Sequence, residues 1–235
     1  MSSSPDSAAV TEYPITVRAW LDQPLRRWLW LVKWLLLIPH YIVLLVLWLV
    51  FAVLTIVAFF AILFTARYPR ALFEFNVGVL RWSWRVSYYG YEALGTDRYP
   101  PFTLADVPDY PARLRVTYPE DLNRWLPLVK WLLAIPHILI IGALTSGAWW
   151  AYRDDGGGAR GSMSLLSVFV LIVAVALLFT GRYPMGLFDL LVGFARWIYR
   201  VVAYVTLMTD RYPPFRLDLG GEEPASGRAA TDSGS

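Results

Sequence analysis

Two stretches of this chain repeat each other, and each joins a long apolar run to a fixed polar ending. The first run covers 28–64, leads directly into Thr65-Ala66-Arg67-Tyr68-Pro69 and closes at Thr96-Asp97-Arg98-Tyr99-Pro100-Pro101-Phe102. The second covers 125–179, leads into Thr180-Gly181-Arg182-Tyr183-Pro184 and closes at Thr209-Asp210-Arg211-Tyr212-Pro213-Pro214-Phe215. Inside the runs, Leu31-Val32-Lys33-Trp34 and Ile38-Pro39-His40 return as Leu128-Val129-Lys130-Trp131 and Ile135-Pro136-His137. The duplication predicts two tandem membrane repeats, 11–107 and 108–219. The flanking tails, 1–10 and 220–235, are small and polar and read as disordered.

Apolar content carries the membrane assignment. Hydrophobic residues make up 57% of the chain, too many for an ordinary soluble domain. The N-terminus lacks a basic region leading into an apolar stretch, so no cleavable signal peptide is expected. A continuous helix over 28–64 would be about 55 Å long, against a bilayer core of about 30 Å. Either the run folds back as a hairpin, or it bends near Pro39 and crosses once. In the second copy the polar apex Arg153-Asp154-Asp155-Gly156-Gly157-Gly158-Ala159-Arg160-Gly161 interrupts the run and cannot sit in lipid. The expectation is therefore a transmembrane or re-entrant helical hairpin in each repeat. Of the 21 Lys and Arg, only Arg153 and Arg160 lie in that apex. The positive-inside rule then puts both termini and the inter-repeat region in the cytoplasm of a multi-pass inner-membrane protein.

A second helix follows each run, over 71–94 and 186–208. Glu74, Arg81 and Arg85, matched by Asp189, Arg196 and Arg200, form a narrow polar stripe on an otherwise apolar helix. That pattern predicts an amphipathic helix in the interface with its arginines toward headgroups; the alternative is a third crossing, especially over 187–208, against which each intramembrane Arg counts a few kcal/mol. Asp22 and Pro24 read as the start of the first long helix. Short strands are expected at 15–20, 102–107, 112–117 and 215–219. The fold class is an all-α membrane protein with minor β, the strands lying on the cytoplasmic side.

With the motifs in view, the chain resembles a bacterial, largely actinobacterial, family of integral membrane proteins catalogued as a domain of unknown function. The resemblance rests on Phe-Thr-(Ala/Gly)-Arg-Tyr-Pro, Leu-Phe-(Glu/Asp), Val-Gly with Arg-Trp two residues on, and Thr-Asp-Arg-Tyr-Pro-Pro-Phe, in both copies. It implies an integral membrane protein and carries over no activity, cofactor or catalytic residue. Copy one departs in having Ala66 for Gly and an acidic, Tyr-rich segment at 88–92.

Candidate site residues come from what repeats. Arg67, Tyr68, Arg98, Tyr99, Arg182, Tyr183, Arg211 and Tyr212 belong to four Arg-Tyr-Pro turns. An Arg fork can hold a lipid phosphate and Tyr favours the headgroup layer. The competing role is structural, with Arg capping helix ends or pairing with acids and Tyr and Pro anchoring the turn. His40 and His137, each following a helix-breaking Pro, are candidates for a proton- or ligand-responsive pair across a repeat axis. The plainer reading is that they satisfy backbone groups that the Pro frees. Lys33 and Lys130 read as snorkelling. With no Cys, no Gly-rich phosphate loop and no nucleophile elbow, neither catalytic residues, a metal site nor a cofactor is expected, and +3 net charge does not suggest nucleic acid. The expected function is a non-enzymatic scaffold or accessory component at the cytoplasmic leaflet. Its partners would be the bilayer, anionic lipids, and a second copy or another membrane protein. The alternative is a small transporter whose path is lined by the Pro-His helices.

Overall fold

A computed structural model describes residues 13–146 and 164–220. The tails (apart from Gly220) and the polar apex at 153–161 lie outside the described residues. The order is β1 (Ile15–Ala19), α1 (Trp30–Thr65), α2 (Arg70–Tyr89), β2 (Ala112–Val116), α3 (Pro127–Ser146), α4 (Leu165–Thr180) and α5 (Met185–Val205).

The first apolar run is not a hairpin. α1 is one helix of 36 residues that carries Pro39 inside it. It buries a single stripe, Lys33, Leu37, His40, Leu44, Phe51, Ala58 and Ile62, at helical spacing. Its partner in an antiparallel pair is α2. Leu37 and Leu44 pack with Trp82, Val86 and Tyr89, and Trp48 donates to Ser83 at 3.1 Å. Further along, Asn76 reaches Thr55 at 3.4 Å. The fold-back thus lies between the apolar run and the helix after it. In the second repeat α3 lies against the C-terminal half of α5, with His137 bonded to Trp197 and Lys130 over Tyr204. α4 enters α5 through a short turn at 181–184. α3 and α4 therefore follow one another along α5 as the two halves of α1 follow α2, which replaces the expected hairpin.

α1 and α4 both end on a left-handed residue. Ala66 sits at φ 57° with its N–H on the Ile62 carbonyl, and Gly181 at φ 67° with its N–H on that of Leu177. This is the αL cap that favours Gly, which explains the Gly in the second motif. Ala66→Gly is expected to raise stability by about 1 kcal/mol by removing the Cβ clash. A thermal melt of the purified variant checks it, and an unchanged or lower midpoint would rule it out.

Of the four expected strands, β1 and β2 form; 102–107 and 215–219 run without strand pairing among the described residues. β1 and β2 pair antiparallel, with Val17 opposite Leu114 at the centre and Ile15 opposite Val116 at one end. Since Tyr13-Pro14 corresponds to Tyr110-Pro111, Val17 and Leu114 are equivalent residues. An approximate two-fold axis relating the repeats thus passes between them.

The strands are exchanged across that axis. β2, which opens the second repeat, packs on α2, and β1 packs on α5. Arg81 Nε donates to the Leu114 carbonyl at 3.1 Å, and its equivalent Arg196 Nε to the Val17 carbonyl at 3.0 Å. Ile15, Val17, Ala19, Ala112 and Leu114 are buried against these helices. Arg18 and Arg115 face outward, with Thr16 and Arg113 half-exposed between them. The result is three layers: the sheet, then α2 with α5, then α1 with α3 and α4.

Candidate functional site

Most of what the sequence repeats turns out to fasten the outer layer to the middle one. Lys33 and Lys130 are 2% and 1% exposed, so they do not snorkel. Lys33 Nζ donates to the Thr96 carbonyl at 2.7 Å and lies 3.2 Å from Asp97. Lys130 repeats this with Thr209 at 2.9 Å and Asp210 at 2.7 Å. The same two carboxylates accept from Arg26 N–H at 2.6 Å and Asn123 N–H at 2.7 Å, placing an acid at the start of each long helix. Asp22 does not cap that helix and instead accepts from the Thr96 hydroxyl at 2.9 Å.

Each histidine is enclosed in its own repeat. His40 Nδ1 accepts from Trp82 Nε1 at 3.2 Å, and the ring stacks on Phe102 at 4.0 Å between centroids. His137 does the same with Trp197 at 3.2 Å and Phe215 at 3.8 Å. In the turn before Pro39 and Pro136, tyrosines bond to helix carbonyls. Tyr99 donates to Leu36 at 3.0 Å and Tyr212 to Leu133 at 3.2 Å.

All four Thr-x-Arg-Tyr-Pro segments make one turn. The hydroxyls of Thr65, Thr96, Thr180 and Thr209 accept from the N–H of Arg67, Arg98, Arg182 and Arg211, at 3.0 to 3.3 Å. All four arginine side chains are exposed. Tyr68 and Tyr183 are buried, however, bonded to Asn76 and to the Ala93 carbonyl. Burial pushes the Tyr68 phenol up to about 12, with Asn76 and Thr55 opposing.

The polar stripe divides. Glu74 is exposed and Asp189 and Arg81 are half-buried, but Arg85, Arg196 and Arg200 are buried and face protein. Arg85 donates to the carbonyls of Ala105, at 2.9 Å, and Thr103. Arg196 serves Val17, Asp218 and, at 2.9 Å, Gly220, while Arg200 pairs with Asp218 at 2.7 Å. The incoming segments approach closely because Gly78 and Gly193 have no Cβ. At Gly78 a Cβ would lie 2.8 Å from that of Leu104. The arginines thus bind unpaired backbone of strands and tails, so α2 and α5 are middle-layer helices rather than interfacial ones.

The domain of unknown function DUF4389 matches residues 27–103 and 162–216, one segment in each repeat. The chain belongs to the DUF4389 family. No curated protein and no solved structure matches it. In this DUF4389 protein the second matched segment begins after α3, although α3 carries Lys130 and His137 in the places of Lys33 and His40.

A cavity of about 700 Å³ opens between the outer and middle layers of the DUF4389 fold. Its lining pairs equivalent residues: Leu44 with Ile141, Trp48 with Thr145, Ser83 with Ile198, and Ser87 with Val202. It therefore lies on the repeat axis. Trp84 and Tyr199, also equivalent, meet there at 5.6 Å between ring centroids. The two walls differ in charge: repeat one supplies the Glu92 carboxylate with Ser83 and Ser87, whereas the described lining of repeat two is uncharged, with Thr145, Ser164 and Ser167 beside Ile141, Val170 and Ile198. Burial pushes the Glu92 carboxyl up, with a hydrogen bond from Ser87 opposing, and burial followed by the Glu92 charge pushes the Tyr199 phenol up. Neither histidine lines this cleft. Sequence reasoning met Glu92 as the end of the acidic, Tyr-rich segment at 88–92 and missed its partners. The available signal was that copy one departs from copy two at 88–92.

A second, polar hollow of about 230 Å³ lies on the outer face of the sheet, lined by Tyr13, Thr16, Arg18, Arg113, Arg115 and Thr117. Asp106 lies 2.8 Å from Arg113 and 3.6 Å from Arg115. Partial burial works to raise its carboxyl, but the Arg113 hydrogen bond and the charges of Arg113, Arg81 and Arg115 outweigh this and hold it below the usual carboxylate range.

Proposed function

We propose that this DUF4389 protein is a non-enzymatic accessory protein that lies along one leaflet of the bilayer, its outer helical layer in hydrocarbon and its sheet in the cytoplasm. The observation that carries this is the opposition of the two outer surfaces. α1 is long and apolar enough to cross a membrane, as is Pro127–Thr145, and most of α1 faces outward. Leu45, Leu49, Val53, Ile56 and Phe60 are among its exposed residues. A continuous apolar surface of that length needs a lipid or protein cover.

The sheet argues for lying along the leaflet rather than crossing it. It runs beside α2, with Tyr88 bonded to Trp20 at one end and Tyr118 to Tyr68 at the other. Were α1 to cross upright, the sheet would sit at bilayer depth with Arg18 and Arg115 toward hydrocarbon. That costs a few kcal/mol for each arginine. At about 54 Å, α1 is also far longer than the roughly 30 Å core needs. With α1 lying flat, Arg67, Arg98, Arg182 and Arg211 stand at the ends of the lipid-facing helices, where exposed guanidinium groups can hold anionic headgroups.

The chain has no Cys, so single cysteines at Gln23 and Glu120, near opposite ends of α1, report sidedness directly. Both are expected to react with an impermeant maleimide in inverted inner-membrane vesicles and to be protected in right-side-out ones. Labelling of the two sites from opposite sides would eliminate the arrangement.

A further inference from the structure

We infer that the axial cleft binds one single-chain amphiphile with a cationic amine head, taken from the surrounding leaflet. This rests on the membrane seating proposed above. The cavity is of the size that small-molecule sites have. Among the described residues its lining includes one carboxylate, Glu92, and no Lys, Arg or His. An anionic head would meet a like charge in a poorly hydrated space, whereas an ammonium gains a charge-assisted bond to Glu92 with Ser87 and Tyr199 beside it. Glu92 keeps exposed surface while its carboxyl is crowded by Ser87 and Tyr199, and it is among the residues that line the cleft. The remaining lining fits a hydrocarbon chain, with Leu44, Ile141, Val170 and Phe194 supplying apolar walls. Tyr41, Leu45 and Trp48 line the cleft and are also exposed, so the cavity communicates with the lipid-facing surface of α1. The two-fold relation sharpens the chemistry: the repeat-two equivalents of Ser83 and Ser87 are Ile198 and Val202, so those two hydroxyls belong to the Glu92 repeat alone.

The test uses the full chain in phosphatidylcholine nanodiscs, with native mass spectrometry counting bound hexadecylamine, hexadecanol or hexadecanoic acid. One hexadecylamine per protein is expected, held at least tenfold more tightly than hexadecanol, with hexadecanoic acid not retained. Glu92→Gln should abolish the amine preference while hexadecanol still binds. Ile198→Trp, which fills the cleft from a half-buried position, should remove both ligands. Equal retention of amine and acid would overturn the assignment, as would amine binding unaffected by both substitutions. Binding of none of the three would also overturn it. Cysteine sidedness is measured in parallel on the inner-membrane vesicles described above. Loss of amine binding with intact sidedness sinks this site alone, whereas wrong sidedness sinks the seating.

Discussion

Arg196→Leu is expected to be the most damaging single substitution in the chain, removing about 3–5 kcal/mol, the usual cost of breaking a buried charged network. The guanidinium is fully buried and serves three carbonyls from two distant segments, Val17 in β1 and Asp218 and Gly220 after α5. Leucine fills part of the volume but leaves those carbonyls without donors in a dry layer, each at about 1–3 kcal/mol. Against a typical total of about 5–15 kcal/mol, little folded protein should remain. The equivalent Arg81→Leu provides the control. Arg81 is half-buried and bonds to the Leu114 carbonyl, so about 1 kcal/mol is expected. Membrane-fraction yield and melting midpoint of the two variants decide it. If Arg196→Leu melts no lower than Arg81→Leu, the clamp has been misread.

Cutting the chain between Pro108 and Asp109 should leave two halves that fail separately and assemble together. Each half would carry a strand whose packing surface belongs to the other: β1 lies on α5, and β2 on α2. Alone, residues 1–108 would expose Ile15, Val17 and Ala19 and leave α2 without the sheet that covers it. A lone strand with no partner is not stable in water. Co-expressed halves are expected to co-purify at one to one, and either half alone to aggregate or be degraded. A monodisperse first half with a sharp melt would show that strand exchange is not needed for folding.

Much of the frame is visible in the residues, and the failures share a cause. The duplication, the flanking strands at Ile15 and Ala112 and the helices following each Arg-Tyr-Pro turn all come from local pattern. Burial of the arginines does not, because an Arg stripe on an apolar helix looks the same whether it faces headgroups or the open carbonyls of a strand. Val17 and Leu114 become acceptors for Arg196 and Arg81 only once the strands exchange. Lys33 misleads similarly. At the edge of an apolar run it reads as snorkelling, and its partner Asp97 lies beyond a whole helix. The hairpin expectation failed because a polar apex between two apolar segments does not by itself imply a fold-back: α1 continues unbroken past Pro39, and α3 and α4 follow one another along α5.

Pairing between Val17 and Leu114 also bears on ancestry. A half-length chain with these contacts would form a closed dimer with itself through the same strands. In such a dimer any acid near the axis comes back on the facing wall, and two carboxylates would repel at short range in a space with little water. Joining the halves into one polypeptide removes that constraint, since each wall can then mutate without its twin. Among the described lining residues the carboxylate at position 92 has no counterpart from repeat two, an asymmetry that only a fused pair can keep.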